Sequence, residues 1–350
     1  MCLSLFCLAW SALADKVLVG THFKENEKGL YSVDLHKAGD LGEVHEIIDR
    51  LGTSIVIAKS NTSIIYTCGV GEKKGLIQAY DLKAQKLIGS YSSHDMRPCY
   101  LALSHDQKFL LVSNIRHGSV CSIRINDDGT LGALVSKVEV PPKAKRFAPH
   151  ACVVSPDGDY VFVPDIAGNR LCRLKFDKLS GELKYLDSIA SKSFNGPRHM
   201  SFDSEGKRAY LVNQMGETIT VFTYAEGNLL EVDQVQTLPD DQLDINNHIA
   251  EIKIHPSGKF VYVSNRGHNS IALLQRDIKT GMIRFDRCFS SEGEMPWSFA
   301  ISAKGDFLYC SNNKSNNLVS FKIDQESGHL TYTGKQVSVP NPSSVIYITD

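Results

Sequence analysis

Residues 195–223 read NGPRHMSFDSEGKRAYLVNQMGETITVFT, and this stretch carries the clearest structural signal in the chain. A Gly-Pro turn opens a short run from Arg198 to Phe202, and a polar turn leads to a second run from Arg208 to Val212. A third run, Thr218 to Thr223, follows a tight loop. Alternating apolar and polar residues between turn signals, rich in β-branched and aromatic side chains, indicate strands rather than helices. The stretch is therefore predicted to be a three-strand meander.

The rest of the chain repeats this pattern about every fifty residues. Each copy has an aromatic or aliphatic anchor residue in its second strand, and the anchors are Leu18, Tyr66, Leu111, Phe162, Tyr210, Tyr262 and Tyr309. Most anchors follow a polar turn of similar chemistry, such as SPDGD, DSEGK or HPSGK. Coincidental spacing in another all-β protein is the alternative, but repeated turn chemistry argues against it. Seven anchors at this period predict an all-β, seven-bladed β-propeller with four strands per blade.

The two ends of the chain supply complementary parts of one blade. Residues 16–36 contain KVLVGT and GLYSVDL, which match second and third strands but have no first strand before them. Residues 342–348, PSSVIYI, match the first strands of other blades but have no second strand after them. We therefore predict that the C-terminal strand is the innermost strand of a blade whose outer strands come from the N-terminus. This overlap closes the ring without leaving an unpaired strand edge.

Composition is that of a globular chain. The 350 residues are 42% hydrophobic with a net charge of −1. No apolar run reaches the roughly 18 residues that span a bilayer. Basic residues do not alternate with aromatic residues along one stripe, so nucleic-acid binding is not expected. We expect one propeller domain over residues 15–350, a small anionic sugar lactone as partner, no membrane partner, and a monomer or weak homodimer.

The first residues suit an export signal. Residues 1–14, MCLSLFCLAWSALA, form an apolar segment that ends in a small-x-small cleavage pattern before Asp15, although a basic n-region is absent. A signal peptide and a periplasmic or secreted location are predicted. The alternative is the N-terminus of a cytoplasmic protein. The nine scattered cysteines lack metal-type spacing and are interpreted as free thiols, which are commoner in reducing compartments.

Blade register places two rings of residues at one mouth of the central channel, because adjacent strands run antiparallel. The residues that open the innermost strands are Ser54, Cys99, His150, Arg198, Ala250, Trp297 and Ser343. The residues just past the anchor strands are Thr21, Gly69, Asn114, Asp165, Asn213, Asn265 and Asn312. Asn and Asp side chains bond nearby backbone, so the second ring is interpreted as turn caps.

Charged side chains at this mouth point to an anion site. His150, Arg198, Gln214 and Arg266 are predicted to converge there. Two arginines and a histidine facing one funnel attract anions on a near-neutral protein. The alternative is that these side chains bond the backbone that links blades. The sequence has no GxSxG elbow, Walker loop, HExxH motif or Rossmann fingerprint, so no competing chemistry is indicated.

The runs PHACVVSPDGDYVFVPD, GPRHMSFD and VSNRGHNSIALL, with VGT and KGLYSVDL near the start, resemble the lactonase family with the seven-bladed β-propeller fold. The resemblance covers residues 16–348. That family includes one type of bacterial 6-phosphogluconolactonase and the fungal carboxy-muconate cyclising enzymes. The resemblance implies that His150, Arg198 and Arg266 are catalytic. It also implies a divalent cation at the channel, although no cofactor is expected to be required and no residue spacing demands a metal.

Two positions depart from the family pattern. Gln214 stands where the family usually has a glutamate that is one of its proposed catalytic residues. Gln214 is predicted to belong to the catalytic set as well, where a glutamine can orient a carbonyl or a water but cannot take a proton. Glu217, three residues later, is the nearest acidic replacement. Trp297 stands where the family commonly has an arginine. Both departures remove a charged group from the mouth, which bears on the substrate and on turnover.

Three functions remain open from the sequence. The first is a lactonase for a cyclic ester of an anionic sugar acid, such as 6-phosphogluconolactone. In it Arg198 and Arg266 would stabilise the oxyanion and His150 would act as general base. The second is a cycloisomerase of the muconate type. The third is a non-catalytic propeller that binds a sugar acid or a protein, which Gln214 and Trp297 favour because a glutamine and an indole suit neutral ligands. Substrate-binding roles are predicted for His199, His268, Trp297 and Glu217.

Overall fold

The computed structural model describes residues 15–22, 29–36, 39–49, 53–70, 75–141, 144–243 and 245–349. These residues form seven four-stranded antiparallel sheets whose innermost strands contact one another around a ring. The structure confirms the predicted seven-bladed β-propeller. The predicted signal peptide at residues 1–14 lies outside the described residues. Within the described ranges, the chain contains no helix that is both long and apolar enough to cross a membrane.

Blades 1 to 4 each run from an innermost strand at the channel to an outermost strand at the rim. In that order, blade 1 consists of β28 (Pro342–Ile348), β1 (Lys16–Thr21), β2 (Leu30–Leu35) and β3 (Leu41–Ile48). Blade 2 consists of β4 (Ile55–Ala58), β5 (Ile64–Val70), β6 (Gly75–Asp81) and β7 (Lys86–Ser92). Blade 3 consists of β8 (Pro98–Leu103), β9 (Phe109–Asn114), β10 (Ser119–Ile125) and β11 (Leu131–Glu139). Blade 4 consists of β12 (Val153–Val154), β13 (Tyr160–Asp165), β14 (Arg170–Phe176) and β15 (Leu183–Ile189).

Blades 5 to 7 follow the same order. Blade 5 consists of β16 (Pro197–Phe202), β17 (Arg208–Asn213), β18 (Thr218–Ala225) and β19 (Asn228–Gln236). Blade 6 consists of β20 (His248–Ile254), β21 (Phe260–Arg266), β22 (Ser270–Arg276) and β23 (Ile283–Ser290). Blade 7 consists of β24 (Pro296–Ile301), β25 (Phe307–Asn312), β26 (Asn317–Ile323) and β27 (Leu330–Ser338). A short 3-10 helix, Asp240–Gln242, precedes blade 6.

The ring closes through blade 1 as predicted. Strand β1 pairs antiparallel with β28 on one side and with β2 on the other. Val19 lies opposite Val345, and Val17 lies opposite Tyr347. Both edges of β1 are therefore paired by strands from opposite ends of the chain, and the innermost position of blade 1 is filled by the C-terminus.

Apolar packing holds neighbouring blades together. All seven predicted anchor residues lie in the second strands and are buried. Among the described residues, seven apolar clusters form, one at each interface between adjacent blades. Alternation along each strand sends successive side chains to opposite faces, so each blade packs against both neighbours. The described cysteines are free thiols, and several belong to these clusters, including Cys121 and Cys172.

The Asn and Asp residues that end the anchor strands act as caps, as predicted. Asp165 accepts hydrogen bonds from the backbone N–H groups of Ala148 and Gly168 at 2.5 and 3.0 Å. Asn213 donates to Thr218 and Thr220 at 3.1 and 2.9 Å. Asp165 thus caps the turn after its own strand through Gly168 and also binds Ala148 ahead of β12, whereas Asn213 binds two hydroxyls of the next strand, β18.

The innermost strands are irregular at the mouth. Pairing skips between Pro197 and Met200 in blade 5 and between Ile249 and Ile252 in blade 6. Similar skips follow Pro98 in blade 3 and Pro296 in blade 7. A β-bulge redirects side chains that strict alternation would send to opposite faces. The bulges therefore control which side chains meet at the mouth.

Candidate functional site

Arg198 lies in the bulge of β16 and is only 2% exposed. Its Nη1 donates to the carbonyl of Ala250 at 2.7 Å and lies 3.1 Å from Nε2 of His199. Its Nε–H is shielded from solvent and finds no hydrogen-bond partner among the described residues. Burial lowers the pKa of Arg198 to about 10. The guanidinium is thus a buried cation with an unused donor.

Arg266 ends β21 and is 8% exposed. Its Nη2 donates to Oε1 of Gln214 at 2.9 Å and its Nε to the carbonyl of His248 at 3.2 Å. Its guanidinium carbon lies 4.6 Å from the centre of the Trp297 ring, a cation–π contact. Burial, together with the nearby charge of Arg198, lowers the pKa of Arg266 to about 8. Because all these partners are neutral, a bound anion would relieve the cost of burying this charge.

His150 lies three residues before β12, the innermost strand of blade 4. Its Nδ1 is shielded from solvent and has no partner in the described part of the chain. Its ring centre lies 5.2 Å from that of His199. Burial, then the charges of Arg198, His199 and Arg266, hold the pKa of His150 well below its usual value. His150 is therefore a neutral imidazole at neutral pH and can accept a proton.

Glu251 is a site residue that the sequence analysis missed. It lies in the bulge of β20, and its Oε1 is 3.3 Å from Nδ1 of His199. Its Oε2 accepts a hydrogen bond from Ser298 at 3.3 Å. Burial raises its pKa, but Lys253, His199 and Arg198 outweigh burial, so the pKa lies below its usual value and the carboxylate is ionised. The available signal was an acidic residue inside the innermost-strand run HIAEIKI.

Trp297 belongs to this cluster, and Gln214 supports it. Besides Arg266, the Trp297 ring contacts the ring of His22, with 5.3 Å between centres. Gln214 joins blades 5 and 6, because its carbonyl accepts the backbone N–H of Ile249 at 3.2 Å while its side chain holds Arg266. The sequence-predicted residues that come together at the mouth are His150, Arg198, His199, Gln214, Arg266 and Trp297.

His268 and Glu217 are placed in turns instead. The His268 ring contacts Ser270 at 2.7 Å and Gln242 at 2.5 Å, so its described hydrogen bonds fix it to the turn after β21. Glu217 has a left-handed φ of 57°, a position that asparagine takes at Asn269 in the next blade. Among the described contacts, none joins either side chain to Arg198, His150 or Arg266. Their predicted substrate-binding roles therefore gain no support from the geometry.

Cations outnumber carboxylates in this cluster. Arg198 and Arg266 are positively charged, Glu251 is negatively charged, and burial lowers the pKa of His199 to about 4, which leaves it neutral. Strongly shifted pKa values from burial and specific charge partners mark functional sites more often than structural ones. The arrangement can bind an anion, donate hydrogen bonds to a developing oxyanion and accept a proton at His150.

A divalent cation does not fit the described residues. Within them, no group of three or more His, Cys, Asp or Glu side chains is placed to hold a metal ion. Glu251, the carboxylate in this cluster, is already engaged by His199 and Ser298.

Comparison with known proteins places the chain in a family. Residues 16–347 match the family model described as lactonase, 7-bladed beta-propeller. The chain is 29% identical to the 6-phosphogluconolactonase of Bacillus subtilis, over 94% of this chain and 97% of that protein. It is 26% identical to the solved periplasmic gluconolactonase of Pseudomonas aeruginosa, with a TM-score of 0.81 over 96% and 99% of the two chains. A Lactobacillus plantarum protein, 23% identical, has the same fold, with a TM-score of 0.84 over 96% and 99% of the chains.

Proposed function

The chain belongs to the seven-bladed β-propeller lactonase family, and we propose that it hydrolyses a cyclic ester of an anionic sugar acid, of the 6-phosphogluconolactone type, at the mouth that Arg198 and Arg266 share. Family membership and the named relatives support lactonase-type hydrolysis. The anionic character of the substrate is our inference from the charges at the mouth.

One observation carries the proposal: two guanidinium groups lie buried at the mouth, and neither forms an ion pair directly with a carboxylate among the described residues. Arg198 has an unpartnered Nε–H, and the described partners of Arg266 are neutral. Glu251 is the one carboxylate described in this cluster, so the two buried cations carry one positive charge that it does not balance, and this excess favours an anionic ligand. The same donors can stabilise the oxyanion that forms when the lactone carbonyl is attacked.

His150 is the general base in this proposal. It removes a proton from water as the water oxygen bonds to the lactone carbonyl carbon, and the charge collects on the carbonyl oxygen beside the arginines. When the ring C–O bond breaks, the His150 imidazolium returns the proton to the leaving alkoxide oxygen. Water is consumed and a hydroxy acid is released. The low pKa of His150 makes its imidazolium a strong acid, which suits this second transfer.

Gln214 and Trp297 hold Arg266 in place. The amide oxygen accepts one guanidinium N–H group, and the indole lies against the guanidinium face. Neither partner cancels the charge. We propose that Arg266 therefore offers its full positive charge to the substrate, which favours a phosphorylated or carboxylated lactone over a neutral one.

A hydrolysis assay on δ-gluconolactone and on its 6-phosphate, corrected for spontaneous hydrolysis, tests the proposal. We expect turnover of both with higher kcat/KM for the phosphate ester. Arg198→Ala should weaken binding of the phosphorylated lactone by about 1.5–3 kcal/mol, the scale of a hydrogen bond to a charged group. Arg173→Ala, which removes an arginine on the third strand of blade 4 that pairs with Asp187 and donates to Gly227, is the control for loss of an arginine away from the mouth. Binding without hydrolysis would favour a non-catalytic propeller.

Export, domain extent and assembly remain parts of the proposal. We propose one propeller domain over residues 15–350, removal of residues 1–14 as a signal peptide, a periplasmic or secreted location, and a monomer or weak homodimer. The periplasmic relative in Pseudomonas aeruginosa supports export. N-terminal sequencing of the protein made in its own cell would test the cleavage, because an intact Met1 would contradict it.

A further inference from the structure

A hydrogen-bonded chain crosses from blade 5 to blade 6 beneath the mouth. Arg198 lies at one end, His199 in the middle and Glu251 at the other end. Nη1 of Arg198 lies 3.1 Å from Nε2 and 3.3 Å from Nδ1 of His199, so it contacts both ring nitrogens, and Nδ1 of His199 is 3.3 Å from Oε1 of Glu251. Arg198 and His199 are adjacent on β16, whereas Glu251 comes from β20 of the next blade.

The chain has one consistent proton arrangement. The Arg198 guanidinium can only donate, and the ionised Glu251 carboxylate can only accept. A neutral imidazole that is hydrogen-bonded to Glu251 through Nδ1 must donate from that nitrogen, which leaves Nε2 as the acceptor for the guanidinium. His199 is 7% exposed and neutral at neutral pH, since burial lowers its pKa to about 4. Because Nη1 of Arg198 contacts both ring nitrogens, it is Glu251 that selects the tautomer of His199 with its proton on Nδ1.

Glu251 is itself firmly held. Its Oε1 accepts the backbone N–H of Ile252 at 3.1 Å, and its Oε2 accepts from Ser298 at 3.3 Å. Lys253 approaches the same carboxylate at 3.8 Å from a half-exposed position. The carboxylate is thus anchored on both oxygens by blade 6 and blade 7, which gives His199 a fixed acceptor.

We propose that Glu251 is the positioning carboxylate of this site: through His199 it holds the Arg198 guanidinium so that its unpartnered Nε–H faces the bound anion. The inference rests on the proposed function, in which Arg198 holds the substrate. A long arginine side chain loses conformational freedom when it binds a ligand, so fixing it beforehand strengthens binding. Glu251 acts through His199 and is not assigned contact with the substrate.

Two readouts that need no turnover test this proposal. The first is the ring tautomer of His199, read by long-range ¹⁵N NMR on histidine-labelled protein and assigned with His199→Gln. The second is the Kd for inorganic phosphate, measured by calorimetry. Glu251→Leu removes the acceptor, whereas Glu251→Gln keeps an acceptor oxygen of the same shape. Glu43→Leu, at an exposed carboxylate 3.9 Å from His45, is the matched control.

The expected pattern is specific. The unsubstituted protein and Glu251→Gln should both show the proton of His199 on Nδ1, whereas Glu251→Leu should move it to Nε2. Phosphate affinity should fall about five- to tenfold in Glu251→Leu, be retained in Glu251→Gln and be unchanged in Glu43→Leu. An unchanged tautomer or unchanged phosphate affinity in folded Glu251→Leu would overturn the proposal.

Further arms separate the possible failures. If Glu251→Leu does not fold, His199→Phe breaks the same chain at its middle and should give the same loss of phosphate affinity; no loss would overturn the proposal. If the variants behave as expected but the unsubstituted protein hydrolyses no lactone, the positioning role stands and the proposed function fails. If lactones are hydrolysed but the affinities do not change, the positioning role alone fails.

Discussion

The side chain of Gln214 sets the charge that Arg266 presents. Its amide oxygen lies 2.9 Å from Nη2 of Arg266, at the position where resemblance to the family leads us to expect a glutamate. A carboxylate there would form an ion pair with Arg266 and cancel its charge. The amide orients the guanidinium without neutralising it, so the mouth is more cationic than its counterpart with a glutamate. This contact favours an anionic ligand over the neutral one that a glutamine and an indole first indicated.

Gln214→Glu should therefore weaken anion binding. The new carboxylate would pair with Arg266, and phosphate affinity should fall about tenfold, within the range for hydrogen bonds to charged groups. Calorimetry with inorganic phosphate measures the effect, and Gln236→Glu on the exposed face of β19 adds the same charge away from the mouth. Tighter phosphate binding in Gln214→Glu would contradict this account. A large gain in lactonase rate would instead show that the site lacked a catalytic carboxylate.

His150 should give the activity an acidic limit below the ordinary histidine range. Because the pKa of His150 lies well below about 6.5, its free base persists as the pH falls through that value. We expect kcat/KM to stay level as the pH falls from 7 to below 6.5 and to decrease only in more acidic buffer. His150→Ala should lose on the order of 10²–10⁴-fold in rate. His105→Ala, at an exposed histidine, is the control, and a loss of activity on the acidic side with an inflection at or above 6.5 would exclude His150 as the base.

Neighbouring blades are joined by a repeated contact between two elements. The anchor hydroxyls of Tyr66, Tyr210 and Tyr262 donate to glycine carbonyls in the outer hairpin of the next blade, at 2.9, 2.6 and 2.7 Å. The glycine that receives the Tyr262 bond, Gly328, has a φ of 77°, and a Cβ there would lie 2.7 Å from Phe260. Only glycine suits both this left-handed backbone and this close approach. The repeated anchor tyrosines and the repeated hairpin glycines are therefore the two sides of one contact between blades.

Tyr262→Phe should destabilise the propeller without altering the mouth. Loss of the hydroxyl leaves the buried Gly328 carbonyl unpaired, which costs about 1–3 kcal/mol of unfolding free energy. Urea denaturation would measure this loss. Tyr185→Phe, at a partly buried tyrosine on outer strand β15, should change stability by less than about 0.5 kcal/mol. Equal effects of the two substitutions would show that the anchor hydroxyl adds nothing to blade packing.

Across the whole ring, the joint between blades 1 and 2 differs from the others. The anchor of blade 1 is Leu18, which like Leu111 and Phe162 has no hydroxyl, and the outer hairpin of blade 2 has Gln85 at a φ of 51° where the outer hairpins of the other blades have a glycine. A cavity of about 1280 Å³ opens beside Leu18, Ile65 and Tyr80. Contacts of β28 also cross this joint. Ser343 donates to Gly20 in its own blade and to Ser54 in blade 2, at 3.2 and 2.7 Å.

Deleting residues 341–350 should abolish cooperative unfolding. The deletion removes β28, exposes one edge of β1 and removes the link to blade 2. Circular dichroism during urea titration would show a broad, low-midpoint transition in place of a single steep one. A synthetic peptide of residues 341–350 added in trans should restore the steep transition. A truncated chain as stable as the complete one would show that closure by β28 is dispensable.

The sequence alone specifies the blade number, the closing overlap, the capping residues and six of the side chains that meet at the mouth. Each of these depends on short-range information: alternation along strands, turn chemistry and a period near fifty residues. Such patterns act within one blade, and repetition then carries them around the ring. The prediction of His150, Arg198 and Arg266 at one mouth follows from that register together with antiparallel pairing.

Only the tertiary structure decided which neighbours these side chains use. Strict alternation along β20 would direct Ala250 toward the mouth and Glu251 toward the opposite face of the sheet. The bulge in β20 instead places the Glu251 carboxylate against His199 of the preceding blade. His268 is only two residues from Arg266 in the sequence, but hydrogen bonds to the Ser270 hydroxyl and to Gln242 keep its ring in the turn and away from the mouth. A bulge shifts register by one residue and a contact between blades joins residues about fifty positions apart, so local sequence pattern encodes neither.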